Sequence, residues 1–167
     1  AGAMGVILPN ILSKDQLEKI IHEIIWPPKG SRGVGFCRAN LYGRNFIKYK
    51  QIAENILIIP MIENIKSIEN LEEILSLKQI SAIFIGPYDL SASLGIAGDF
   101  QSKEFKKTIK YIKKICKKNN IPVGIHVVHP SKKDLTQRIK EGFKFIAYST
   151  DSIFLENYSV KPNDLTT

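Results

Sequence analysis

Short apolar runs alternate with amphipathic stretches along this chain, and the alternation sets the first expectations. Gly5 to Pro9 (GVILP) predicts a buried strand. Ser13 to Gln16 has the S-x-x-Q spacing of a capping box, opening a helix with Leu17, Ile20, Ile21 and Ile24 on its apolar face. Pro27 to Gly30 (PPKG) stops that helix, and a long loop with Gly30, Gly33, Gly35 and Gly43 is expected next. Asn55 to Ile62 reads as a second strand. Its apolar residues are continuous rather than alternating, which suits a parallel strand covered on both faces. Asn64 is placed to cap a helix with Ile65, Ile68, Leu71, Ile74 and Leu75 on one side.

The pattern then repeats. Ala82 to Gly86 (AIFIG) predicts a third strand, followed by a loop and a helix from about Ser102 to Lys118. In that helix Phe105, Ile109, Ile112 and Cys116 fall at i, i+4, i+7 and i+11, a single apolar face. Val123 to Val127 is a fourth strand, Ser131 to Glu141 a helix ended by Gly142, and Phe145 to Tyr148 a fifth strand. After Asp151 no further strong helix is expected. Strands alternating with helices mean βαβ units and a parallel sheet, either open and doubly wound or part of a closed barrel. Polar residues gather just after the strands: Asn10, Glu63 with Asn64, Tyr88 with Asp89, His126 and His129, and Ser149 to Asp151. Parallel α/β folds place their chemistry at those ends.

Composition narrows the classes. At 167 residues, with 44% hydrophobic and 24% charged, the chain suits one globular domain and is too apolar for a disordered one. No apolar run approaches the roughly 18 residues of a membrane span. Two cysteines, Cys37 and Cys116, make no disulfide framework, and with no secretory signal in view the expected location is the cytoplasm. The net charge of +8 is concentrated in one region: Gln101 to Lys144 carries 13 cations and three acids, leaving the rest slightly acidic. Twenty of the 24 cations are Lys, and stacking aromatics beside them are not prominent, so a solvated helix face is expected rather than a nucleic-acid surface.

Glu63 directly follows one apolar strand and Asp89 the next. On adjacent parallel strands, two carboxylates at the same end can converge in one coordination sphere. Hard oxygen donors with room for water and substrate favour Mg²⁺ or Mn²⁺, with Co²⁺ a further option. The plainer alternative is that Glu63 begins a helix and Asp89 caps a loop. Gly86 in the same stretch permits close backbone approach, Pro87 stiffens the turn, and the amides beyond it are exposed to an anion.

The segments Ile59 to Asn64 (IPMIEN) and Ala82 to Gly95 (AIFIGPYDLSASLG) resemble the 2-oxo-acid aldolases of the 4-hydroxy-2-oxoheptanedioate and 2-dehydro-3-deoxyglucarate type, in the aldolase/citrate lyase superfamily. Gly2 to Pro9, Pro27-Pro28 with Arg32 to Gly35, and Phe145 to Asp151 match in the same order, so the resemblance runs from Ala1 to about Leu155. It implies a (β/α)8 TIM barrel in which Glu63 and Asp89 bind a divalent cation. It also implies that Gly86, Pro87, Tyr88 and Asp89 contact a 2-oxo acid such as pyruvate, and that the parent is a homo-oligomer. The implied reaction is reversible cleavage of a 4-hydroxy-2-oxo acid to pyruvate and an aldehyde. A citrate-lyase-β-like cleavage of an acyl thioester, or a non-catalytic remnant binding metal or partner subunits, are the alternatives.

Two departures bear on this. Met61 stands where the family often has Gln, so a substrate hydrogen bond is in question. Mapped onto the family, the visible strands are barrel strands 4 to 8, with strands 1 to 3 absent. The family's catalytic arginine and histidine would then precede Ala1, and residues 1–167 read as one partial barrel domain with a loose tail from 156. Such a part-barrel leaves two unpaired edges and an uncovered interior. His126 is a candidate acid/base, or else a structural histidine, and Arg38 is a candidate for an anionic substrate or a neighbouring subunit. His129 reads as a loop residue, His22 has no evident partner, and Cys37 lacks a base that would make it a nucleophile.

Overall fold

The computed structural model describes residues 1–159. Five strands, β1 (Gly5–Leu8), β2 (Leu57–Ile62), β3 (Ile83–Ile85), β4 (Val123–Val127) and β5 (Phe145–Tyr148), form one parallel sheet in the order β1-β2-β3-β4-β5. Each strand pairs with its sequence neighbour, with Ile7 opposite Ile59, Met61 opposite Phe84, Phe84 opposite Gly124 and His126 opposite Ala147. This sequential order settles the question the strand pattern left open. A doubly wound sheet reverses direction at a switch point, whereas a barrel adds every strand on the same side. The structure is a five-strand half-barrel with helices on its outer face.

The alternation of side chains shows which face is which. Ile58, Ile62, Ile83, Ile85, Val123 and Ile125 point outward into the core beneath the helices, and all are buried. Ile59, Met61, Phe84, His126 and Phe145 fall on the alternate, concave face, where Phe84 packs 5.3 Å from Phe145 between ring centres. That face is only partly covered: Ile7 is 39% and Leu57 48% exposed. Among the described residues β1 and β5 each have one paired side, so the expected open edges and open interior are observed.

Helix α1 (Lys14–Ile24) starts at Ser13, as its spacing predicts, and buries Leu17 and Ile21. The lysine-rich α6 (Lys103–Lys118) is capped by Ser102 and buries Phe105, Ile109, Ile112, Ile115 and Cys116, with the lysines left on its outer faces. Burial pushes the Cys116 thiol up to about 12, so it stays neutral and acts as packing. Helix α7 (Lys132–Lys140) ends before Gly142, whose φ of 88° makes it the expected left-handed terminator.

Four expectations need correction. The glycine loop is not loop throughout: a 3₁₀ turn at Arg38–Asn40 leads to α2 (Phe46–Glu54). Phe46, Tyr49 and Ala53 of α2 pack with Trp26, forming a small second core. The helix after Asn64 is two short helices, α3 (Ile65–Glu69) and α4 (Leu71–Ile74), broken at Asn70, whose side chain donates to the Leu12 carbonyl at 2.8 Å. The segment after Gly86 is helix α5 (Pro87–Ser93), with proline at its first position, where a missing N–H costs nothing. Finally α8 (Asp151–Tyr158) exists, capped by Thr150, so residues 156–158 are helical rather than loose tail. The rest of that tail beyond Ser159 lies outside the described residues. Helix α8 buries no side chain, which is why its apolar pattern was weak.

On α7, Arg138 donates to Glu141 at 2.9 Å and Gln137 donates to the same carboxylate at 2.8 Å. Burial alone would raise this carboxyl; the two hydrogen bonds and the charges of Arg138 and Lys113 outweigh it and hold Glu141 below its ordinary 4.5. A lowered folded value stabilises the fold above the ordinary carboxylate range, and that contribution disappears as pH falls through the folded value. We therefore expect a carboxyl NMR titration to place Glu141 below free glutamate, and Arg138→Ala to move it upward. An unmoved midpoint in Arg138→Ala would refute the pairing.

Candidate functional site

Glu63 and Asp89 lie one residue beyond the end of β2 and in the first turn of α5, at the carboxyl ends of neighbouring parallel strands. The structure brings them together: Asn10, Glu63, Asn64, Asp89, Ala92 and Ser93 line one open depression of about 400 Å³. The helix-starting role that might have explained Glu63 belongs to Asn64, whose Oδ1 accepts the Lys66 N–H at 2.9 Å. Ser93 Oγ accepts the Ile65 N–H at 2.9 Å, tying the end of α5 to the start of α3. Glu63 Oε1 accepts the Asn10 N–H at 2.7 Å. Three strand-end segments are thereby fastened around the two acids.

Gly86 sets how closely the β2 and β3 ends approach. A Cβ there would stand 2.8 Å from Glu63 Oε2 and 3.2 Å from both Glu63 Cβ and Met61 Sδ. Its φ of −88° is open to any residue, so the glycine is required by the neighbouring carboxylate, not by its backbone.

Among the described residues neither Glu63 nor Asp89 has a cation within 4.0 Å, and Asp89 accepts no hydrogen bond. Two carboxylates sharing a depression without a positive partner fit a bound cation, and oxygen-only donors suit Mg²⁺ or Mn²⁺. No cluster of three or more His, Cys, Asp and Glu side chains exists among the described residues, so Glu63 and Asp89 stand as a pair.

The other candidates are distributed differently. Met61 lies on the concave face beside Gly86. Pro87 and Tyr88 line a second, smaller cavity of about 160 Å³ with His126 and His129. Tyr88 stacks edge-on against Phe100, 5.0 Å between centres. His126 Nε2 lies 3.2 Å from the Ser149 carbonyl, bridging the ends of β4 and β5. Arg38, exposed in its 3₁₀ turn, lines neither depression, and exposed His22 contacts only Glu23, at 3.8 Å. Cys37 stands at the start of that same turn and lines neither depression. Ser93 carries no signal in the sequence pattern, because the α5 segment reads as loop, and Asn10 stands out there only as a polar residue after a strand, its main-chain amide leaving no trace in residue type.

Known proteins resemble this chain in sequence and in fold. The chain is 30% identical over 151 residues to 5-keto-4-deoxy-D-glucarate aldolase of Escherichia coli O157:H7, covering 90% of this chain and 58% of the relative. A similar match, 30% over 151 residues with the same coverage of both chains, is to the Citrobacter koseri protein of that name. The chain thus spans little more than half the length of these relatives. Among solved structures, an HpcH/HpaI aldolase/citrate lyase family protein from Burkholderia cenocepacia superposes with a TM-score of 0.84 at 26% identity, covering 93% of this chain and 62% of that one. An HpcH/HpaI aldolase from Desulfitobacterium hafniense gives 0.81 at 23% identity, covering 94% and 61%. With the family model for HpcH/HpaI aldolase/citrate lyase matching residues 1–157, the chain belongs to that family.

Proposed function

We propose that this chain carries the metal- and 2-oxo-acid-binding part of a class II aldolase, whose reaction is reversible cleavage of a 4-hydroxy-2-oxo acid to pyruvate and an aldehyde. The observation that carries the reading is the shared depression of Glu63 and Asp89 at neighbouring strand ends in a member of this family. Those two carboxylates would hold the divalent cation, Mg²⁺ or Mn²⁺, which when bound supplies Lewis-acid polarisation of a keto oxygen. Glu63 is oriented for this by the Asn10 amide, and Gly86 leaves its second oxygen unobstructed. The Gly86 to Asp89 turn and Met61 border the same strand ends and would contact the 2-oxo acid. His126, held at the β4–β5 end by the Ser149 carbonyl, shares a cavity with Pro87 and Tyr88 and would be this chain's acid/base.

Val34, Phe36, Leu41, Tyr42 and Ile47 are each exposed along the glycine loop and α2, apolar side chains that favour self-association of the parent protein. The described residues include no helix long and apolar enough to cross a membrane.

The test is pyruvate release from a 4-hydroxy-2-oxo acid by the 167-residue chain with Mn²⁺, run beside cleavage of an acyl thioester. Mn²⁺-dependent pyruvate release supports the aldolase reading. Thioester cleavage alone would transfer the site to a citrate-lyase-like reaction. Mn²⁺ binding without either turnover would mark a binding remnant.

A further inference from the structure

The capping motif at the start of α1 does something its spacing does not predict. In a capping box the glutamine three residues after the cap returns to the cap residue's own N–H. Here Ser13 Oγ accepts the Gln16 N–H at 3.2 Å, as expected, but the Gln16 side chain reaches past Ser13. Its Oε1 accepts the Leu12 N–H at 2.7 Å and its Nε2 donates to the Asn10 carbonyl at 3.0 Å. The Leu12 carbonyl is in turn held by Asn70. Between these ties Asn10 adopts φ 53°, a left-handed conformation that asparagine tolerates better than other residues with a Cβ. That conformation belongs to the turn whose Asn10 N–H meets Glu63 Oε1 at 2.7 Å, across 53 residues of sequence.

We infer that Gln16 is a positioning residue for Glu63, acting through the Asn10 main chain. The inference rests on the proposed role of Glu63 as a metal-holding carboxylate. Gln16 touches neither carboxylate; it clamps both ends of the Asn10–Leu12 turn and so fixes the direction of one amide. Without the clamp the left-handed turn relaxes toward commoner backbone conformations, and the amide leaves Glu63. The carboxylate keeps its charge but loses its orientation, which is how outer partners of a metal ligand act on affinity.

The experiment is Mn²⁺ titration of the 167-residue chain, read by electron paramagnetic resonance, for wild type, Gln16→Ala, Gln16→Glu, Ser13→Ala and Glu63→Gln. Gln16→Ala should weaken Mn²⁺ binding by about 10-fold, the lower end of the range for outer partners. Ser13→Ala removes the cap of the same helix but leaves the clamp, and should stay within about twofold of wild type while losing a comparable amount of stability. Gln16→Glu keeps the acceptor for Leu12 and loses the donor to Asn10, so it should fall between. Equal losses in Ser13→Ala and Gln16→Ala would reduce Gln16 to an ordinary helix cap and overturn the assignment. So would wild-type affinity in Gln16→Ala or, if that variant fails to fold, in Gln16→Glu. An unaffected Glu63→Gln would instead defeat the metal reading itself, which keeps the two failures distinct.

Discussion

Glu63→Gln should weaken Mn²⁺ binding by more than about 100-fold, beyond the range typical of outer partners of a metal ligand. The substitution preserves size and an acceptor for the Asn10 N–H, so the turn that holds residue 63 stays in place. What it removes is one of two negative charges on a depression that has no cation of its own among the described residues. Asp89→Asn should act in the same direction, because a neutral amide oxygen is a far poorer ligand for a hard cation. Isothermal titration with Mn²⁺ checks both. Unchanged affinity in either variant would remove that residue from the site. The thermal unfolding midpoint should move little, because neither carboxylate makes an ion pair among the described residues.

Gly86→Ala is the second large effect, and its signature is a dissociation between folding and binding. The added methyl would meet Glu63 Oε2 at 2.8 Å, inside contact distance. The closest group is the end of a flexible side chain, so most of the relief comes by swinging the Glu63 carboxylate away, the contacts at 3.2 Å with Glu63 Cβ and Met61 Sδ giving by a few tenths of an ångström. Stability should change by less than about 1 kcal/mol, below the usual cost of overpacking a rigid core. Mn²⁺ affinity should fall by about 10- to 100-fold, as when a metal ligand loses its proper orientation. Urea unfolding and Mn²⁺ titration of the same preparation separate the two. A variant that binds Mn²⁺ like wild type would show that Glu63 need not stand against Gly86.

The strands and the long α6 were legible because their signals are local and strong. Val123 to Val127 and Phe145 to Tyr148 match their expected bounds, and the i, i+4, i+7, i+11 residues of α6 are all buried. What the pattern hid were helices whose stability comes from elsewhere. Helix α2 buries only Tyr49 and Ala53 and depends on a distant Trp26, so a run following four glycines looked like more loop. Helix α5 begins with proline and is too short to show periodicity. The break at Asn70 comes with a side-chain bond to Leu12, a partner 58 residues away. The same distinction holds at the site. Glu63 and Asp89 are visible as acids after apolar strands. The contacts around them, the Asn10 amide on Glu63 and the Ser93 hydroxyl on the Ile65 amide, join partners 53 and 28 residues apart that a local pattern does not reveal. The capping spacing at Ser13 to Gln16 marks the helix start, yet its glutamine serves the Asn10 to Leu12 turn that directly precedes the cap.

The central claim is that Glu63 and Asp89 together make a metal site that receives a 2-oxo acid. It is tested most directly by adding pyruvate to the Mn²⁺-loaded chain and following water-proton relaxation. The account predicts that pyruvate displaces water from the bound ion, lowering the relaxation enhancement in wild type, and that the response vanishes in Glu63→Gln and Asp89→Asn. A loaded chain whose relaxation ignores pyruvate, or a response that survives in both variants, would contradict it.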